Sequence, residues 1–194
     1  MRTETIEVLQ FNELAPSAKE KARQWYREAG QHDQWWDAVF EDAKTVAALM
    51  GIEIEDIGFS GFSSQGDGAH FTGRFGYAKG CAKAVAAHAP EATGLQAIAR
   101  DWQALQAANF YQLTGTVSHS GRYQHAYCTS FEVKRGDEWA NDFAEDGVKE
   151  VLRDLMNWIY CQLEDEYDQL NSDEVVDENI VCNEYEFLAD GTRH

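Results

Sequence analysis

Apolar positions recur at two periods along this chain, and each period marks a different kind of element. Residues 4–11 (TIEVLQFN) alternate apolar with polar, which predicts a strand. Pro16 opens a predicted helix over 16–29 that Gly30 stops. Asp33 caps a second helix, 34–50, with an apolar stripe of Trp36, Val39, Phe40, Ala43, Val46, Ala47 and Met50, closed by Gly51. The period then falls to two. Residues 52–60 (IEIEDIGFS) and 69–78 (AHFTGRFGYA) predict a hairpin joined by the glycine-rich segment 61–68, GFSSQGDG. Helices are predicted over 79–88, ended by Pro90, and over 93–108, where Leu95, Ile98, Ala99, Trp102 and Leu105 share a face. A second hairpin follows from 110–120 and 122–134, turning at Gly121.

The last third is helical. Apolar residues at 143, 148, 151, 152, 155, 158, 159, 163, 167 and 170 make a stripe of about eight turns over 142–170. Ser172 caps a further helix to about 183, and 185–188 predicts a last strand before the turn at Asp190 and Gly191. No fixed-period repeat and no linker-like tract divides the chain. The expectation is a single α+β domain over 1–194. It has a mainly antiparallel sheet of about six strands (two hairpins plus terminal strands) packed by about six helices, with an acidic helical part over 137–194.

Charge sharpens this picture. Residues 137–194 hold 18 Asp and Glu against Lys149, Arg153 and Arg193, a local net of −15 within a total of −18. Such a field repels nucleic acid and anionic membranes and attracts basic protein surfaces. Aromatic residues at 12% separate the chain from disordered acidic proteins. Cys81, Cys128, Cys161 and Cys182 are far apart with no C-x-x-C pair, which points to reduced thiols in the cytoplasm rather than to a zinc site or a disulfide framework. The first residues lack the apolar core of a signal peptide, and no apolar run is long enough to span a bilayer.

Four groups of residues are candidates for function. Ser60, Ser63, Gln65 and Asp67 sit in or beside the loop with Gly61, Gly66 and Gly68; its spacing matches neither a phosphate loop nor a nucleophile elbow, and it reads either as a tight turn or as a binding loop. Ser118, His119, Tyr123 and His125 lie in the second hairpin, where His119 and His125 are expected near each other across the strands. With Asp67 they form an alternative catalytic set, although two histidines and one distant carboxylate are a weak metal signature, and no metal or cofactor is expected. Trp35, beside the core-facing Trp36, is a candidate contact anchor. The acidic residues Glu150, Asp154, Glu164, Asp165, Glu166 and Asp168 fall mainly off the apolar stripe of the long helix.

With those residues in view, the chain resembles a family of small proteins encoded by phages and mobile elements. The resemblance is carried by LAPSAKEKARQWYRE (14–28), WWDAVFEDAK (35–44), FSGFSSQGDGAHF (59–71), NFYQLTGTVSHSGRYQHAYC (109–128) and NEYEFLADG (183–191), and it spans nearly the whole chain. Proteins of that kind are often labelled antitoxins of toxin–antitoxin stability systems. The resemblance implies an intracellular, host-directed role and carries no catalytic residues with it.

Two functions follow as expectations. The first is a non-enzymatic inhibitor of antitoxin or anti-defence (anti-CRISPR) type. Its carboxylates at 150, 154, 164, 165, 166 and 168, with Trp35, would occupy a basic groove on a nucleic-acid-binding host or toxin protein in place of phosphates. The alternative is a small enzyme or ligand-binding protein with a polar pocket built from the 60–68 loop and the 118–127 hairpin. Direct nucleic-acid binding is excluded by the acidic segment. The basic helix, with Lys19, Lys21, Arg23 and Arg27, offers a homodimer through the acidic helix of a second copy.

Overall fold

The structure is a computed structural model that describes residues 6–29 and 34–194. In chain order the elements are strand β1 (Leu9–Gln10), a 3-10 turn (Phe11–Glu13), helices α1 (Pro16–Glu28) and α2 (Asp37–Met50), strands β2 (Ile52–Ser60) and β3 (Gly68–Phe75), helices α3 (Cys81–His88) and α4 (Thr93–Ala108), strand β4 (Leu113–His119), a second 3-10 turn (Ala126–Cys128), strands β5 (Thr129–Arg135) and β6 (Glu138–Trp139), helices α5 (Asp142–Leu170) and α6 (Asp173–Cys182), and strand β7 (Glu186–Phe187). The class is α+β, as the alternation of periods predicts. Strands β2 to β6 form an antiparallel sheet in sequence order, while β1 and β7 pair with each other in a separate sheet rather than extending the main one. Among the described residues, no helix is long and apolar enough to cross a membrane.

Two compact units result, Met1–Trp35 with Asp165–His194, and Trp36–Glu164. In the smaller unit, Ala18, Ala22 and Tyr26 recur every fourth residue on α1 and are buried with Phe11, Leu14, Val176, Ile180 and Phe187. Trp25 stacks edge-on against Tyr185 and Phe187, at 5.2 and 5.8 Å between ring centroids. In the larger unit, Trp102 on α4 is fully buried and its indole N–H donates to the Met50 carbonyl at 2.9 Å. Buried Gln106 bonds both the N–H and the carbonyl of Leu113, which ties the end of α4 to the start of β4.

Several boundaries differ from expectation, each for a local reason. The first strand shortens to Leu9–Gln10 because the Glu13 carboxylate accepts the Gln10 N–H at 2.7 Å and bends the chain into the 3-10 turn. Residues 4 and 5, the stop at Gly30 and the cap at Asp33 lie outside the described residues. Helix α2 starts at Asp37 rather than at 34, since 34–36 form a turn in which Gln34 takes a positive φ of 60°. Strand β3 ends at Phe75, opposite Ile52 where β2 begins; one further in-register bond, Gly76 N–H to the Gly51 carbonyl, meets the cap of α2. Gly51 itself closes α2 in the left-handed conformation.

Helix α5 has the predicted length. Its buried face is Ala144, Val148, Val151, Leu152, Leu155, Met156, Ile159 and Leu163. Phe143, placed on that stripe by the sequence, is 82% exposed. It lies five residues before Val148, about 140° round the helix, so Ala144 takes the inward position instead. Ser172 caps α6 as expected, accepting from the Val175 N–H.

Candidate functional site: the acidic helix face and the histidine-backed loop

The cations of α1 are engaged inside their own unit. Arg23 makes a two-pronged contact with Asp177 at 2.7 and 2.8 Å and also reaches Asp173 and Glu20. Arg27 bonds Asp173 at 2.6 Å, and Lys21 bonds Asp190 at 2.7 Å. The bond from Arg27 holds the Asp173 carboxyl below its usual range, and the bonds from Lys21 and Thr192 do the same for Asp190. The basic helix predicted to meet an acidic helix therefore does so within one chain, through α6.

On α5 only Glu145 and Asp146 are paired, among the described residues. Between Arg153 and Arg193 the chain has no Lys or Arg. Among the described residues, no ion pair involves Glu150, Asp154, Glu164, Asp165, Glu166 or Asp168. Lys149 is held by Glu145 at 2.7 Å and Asp146 at 3.3 Å. In the smaller unit Asp165 and Asp168 are exposed, Glu166 is half-buried, and half-buried Trp35 rests on Tyr167 with ring centroids 5.7 Å apart. In the larger unit Glu164 is half-buried and Glu150 and Asp154 are exposed one turn apart. Burial first, then the neighbouring charges of Glu150 and Asp101, pushes the Asp154 carboxyl above its ordinary range. Glu150 and Asp154 line a groove of about 330 Å³ with Tyr127, Asp146, Lys149 and Arg153. Tyr127 is 68% exposed, and the Arg153 guanidinium lies over its ring at 4.7 Å and near Phe131 at 5.5 Å. The Arg153 Nε is buried with no hydrogen-bond partner among the described residues.

The polar residues of the other candidate pocket are divided among separate local structures. Asp67 closes its own loop, its Oδ2 accepting the Ser63 and Ser64 N–H groups at 3.1 and 2.7 Å. That loop is further tied by the Tyr160 hydroxyl, which donates to the Gly61 carbonyl at 2.9 Å. The expected pairing of His119 with His125 is corrected: the β4–β5 ladder sets His119 opposite Thr129, and 120–128 is a loop and 3-10 turn rather than strand. His125 Nδ1 accepts the Tyr127 N–H at 3.1 Å, and His119 Nε2 bonds the Tyr123 carbonyl at 2.9 Å. Ser118 bonds along its ladder to the Ser130 carbonyl. Ser60 ends β2 half-buried, and Gln65 is exposed. The two loops do adjoin, since a side chain at Gly68 would meet His125 Cδ2 at 3.0 Å, but Asp67 is not brought to the histidines as a metal set. Among the described residues, no group of three or more His, Cys, Asp or Glu is placed to hold a metal ion.

The histidine that does meet His119 is His70, whose ring stacks on it at 3.7 Å between centroids. In the family that the chain resembles, Cys is expected where this chain has His70, so the resemblance gave that position no functional weight. Its one available signal was its position in β3 between the glycine-rich loop and a second histidine-bearing hairpin.

A family model described as a domain of unknown function, DUF8835, matches residues 35–173. The chain belongs to the DUF8835 family. In this DUF8835 protein the matched stretch takes in the whole larger unit and all of α5, so it contains both the acidic groove and the histidine pair. No curated protein and no solved structure matches the chain.

Proposed function

We propose that this protein binds a basic protein surface through the outer face of α5 and competes there with nucleic acid, as an inhibitor of a nucleic-acid-binding host or toxin protein. One observation carries the reading. Asp173 and Asp177 of α6 and Asp190 are paired with cations of α1, whereas Glu150, Asp154, Glu164, Asp165, Glu166 and Asp168 of α5 form no ion pair among the described residues. A face that served solubility alone would mix signs. Uncompensated charge beside an exposed tyrosine favours a cationic partner: attraction speeds encounter, and Tyr127 offers an aromatic surface to Arg or Lys. The candidate contacts are Glu150, Asp154, Glu164, Asp165, Glu166 and Asp168, with Trp35. An antitoxin or anti-defence role fits this chemistry, as the resemblance implies.

The test is capture of partners from a bacterial lysate at about 0.05 M and about 0.5 M salt. It uses the native chain and a variant carrying Glu150→Gln, Asp154→Asn, Asp165→Asn and Asp168→Asn. A nucleic-acid-binding protein held by the native chain at low salt, released at high salt and not held by the variant supports the reading. Capture that ignores both salt and the four substitutions overturns it.

A further inference from the structure

His70 is 4% exposed, and its Nδ1 has no hydrogen-bond partner among the described residues. Its ring lies on that of His119 with only 21° between the planes. The 120–128 loop is laid over this pair. A side chain at Gly58, directly across the β2–β3 ladder from His70, would meet His70 Cε1 and Gln124 Oε1, each at 2.5 Å. Glycine at 58 and at 68 is what lets the loop come down onto the strands. His119 anchors the loop through the Tyr123 carbonyl. A carbonyl only accepts, so His119 Nε2 carries the proton of that bond.

We propose that the stacked His70–His119 pair is an acid-sensitive latch on the 120–128 loop, holding it over β2 and β3 while the buried His70 ring is neutral and releasing it when that ring is protonated. The titratable groups acting on His70 are Asp56 on β2 and His119 on β4. Asp56 favours a proton on His70. Burial first, and His119 second, oppose it more strongly and hold the ring down to about 4. Lifting the loop wets the ring and returns it to the ordinary imidazole value of about 6.5. The open loop therefore binds a proton more tightly than the closed one, and acid shifts the balance toward opening between those two values. The far end of the loop carries Tyr127, so opening removes one wall of the α5 groove.

The test needs no partner, so its outcome is separate from that of the binding reading. Hydrogen–deuterium exchange of the intact protein is compared at about pH 7.5 and about pH 5, corrected for intrinsic rates. The amides of Tyr127 and Cys128, bonded to His125 Nδ1 and the His125 carbonyl, lose protection by up to about tenfold per pH unit below about 6.5. The amides of the β4–β5 ladder keep theirs. His70→Gln removes the acid response, and His119→Gln, which keeps a donor for the Tyr123 carbonyl, weakens it. Unchanged loop protection, simultaneous loss across the whole sheet, or a full acid response in folded His70→Gln overturns the latch. Should His70→Gln not fold, imidazole NMR of the native chain decides: a His70 ring titrating at its ordinary value while the loop stays protected overturns it, and a depressed value supports it.

Discussion

Single side chains in this protein act mostly through what they leave unsatisfied when changed. Gln106 is the clearest case, because it completes both backbone groups of Leu113 in a fully buried setting. Gln106→Leu orphans an N–H and a carbonyl at once, and an expected loss of about 3 kcal/mol would show as a lower urea midpoint with an unchanged slope. Gly58→Ala tests the close approach beneath the loop. The added methyl collides with His70 and Gln124, so a cost of about 1–3 kcal/mol and faster exchange of 120–128 at neutral pH are expected. Neither position was legible beforehand. A buried glutamine looks like any polar residue on a helix. Period-two alternation says that His70 shares a face with Thr72, but not that a loop fifty residues later will cover it.

At the level of elements, α1 and α6 are held by charge as well as by packing. Arg23→Gln leaves Glu20, Asp173 and Asp177 facing one another, and thermal melting should show a loss of about 1 kcal/mol after solvent screening, diminished in high salt. The pH dependence has a definite sign. Asp173 and Asp190 have folded values below their ordinary ones, so their contribution is complete above the ordinary carboxylate range. It disappears as pH falls through the folded values. Acid melts of the native chain and of Arg23→Gln should converge at the lowest pH. Phe143→Ser, by contrast, should change stability by no more than about 0.5 kcal/mol, since the side chain stands in solvent. Helices were readable because a buried stripe repeats every turn, and the inner faces of α1, α2 and α5 show it. Register was not: which residue of β4 opposes which of β5 depends on where the chain leaves the turn, and the 3-10 turn at Ala126–Cys128 moved that point.

For the whole molecule, the division of charge is the property that matters most. The total of −18 was plain in the sequence, but the pairing of Asp173 and Asp177, and not of the α5 carboxylates from Glu150 onward, depends on α1 folding back onto the far end of the chain. A cation docking beside Asp154 would favour its ionised form, so affinity for a basic partner should rise with pH through the range of that carboxyl. Asp154→Asn should flatten the response in titration calorimetry. The fold-back has a consequence for synthesis. Arg23 and Asp177 are 154 positions apart, and at ordinary elongation rates the second follows the first by roughly 8–30 s. Throughout that interval the 3-10 turn and α1 present Phe11, Leu14, Ala18, Ala22 and Tyr26 without Val176, Ile180 and Phe187, which cover them in the folded unit. Residues 36–164, contiguous in sequence, can fold while still tethered to the ribosome. The smaller unit draws its core from both ends of the sequence, so it cannot be completed until Val176, Ile180 and Phe187 have been made.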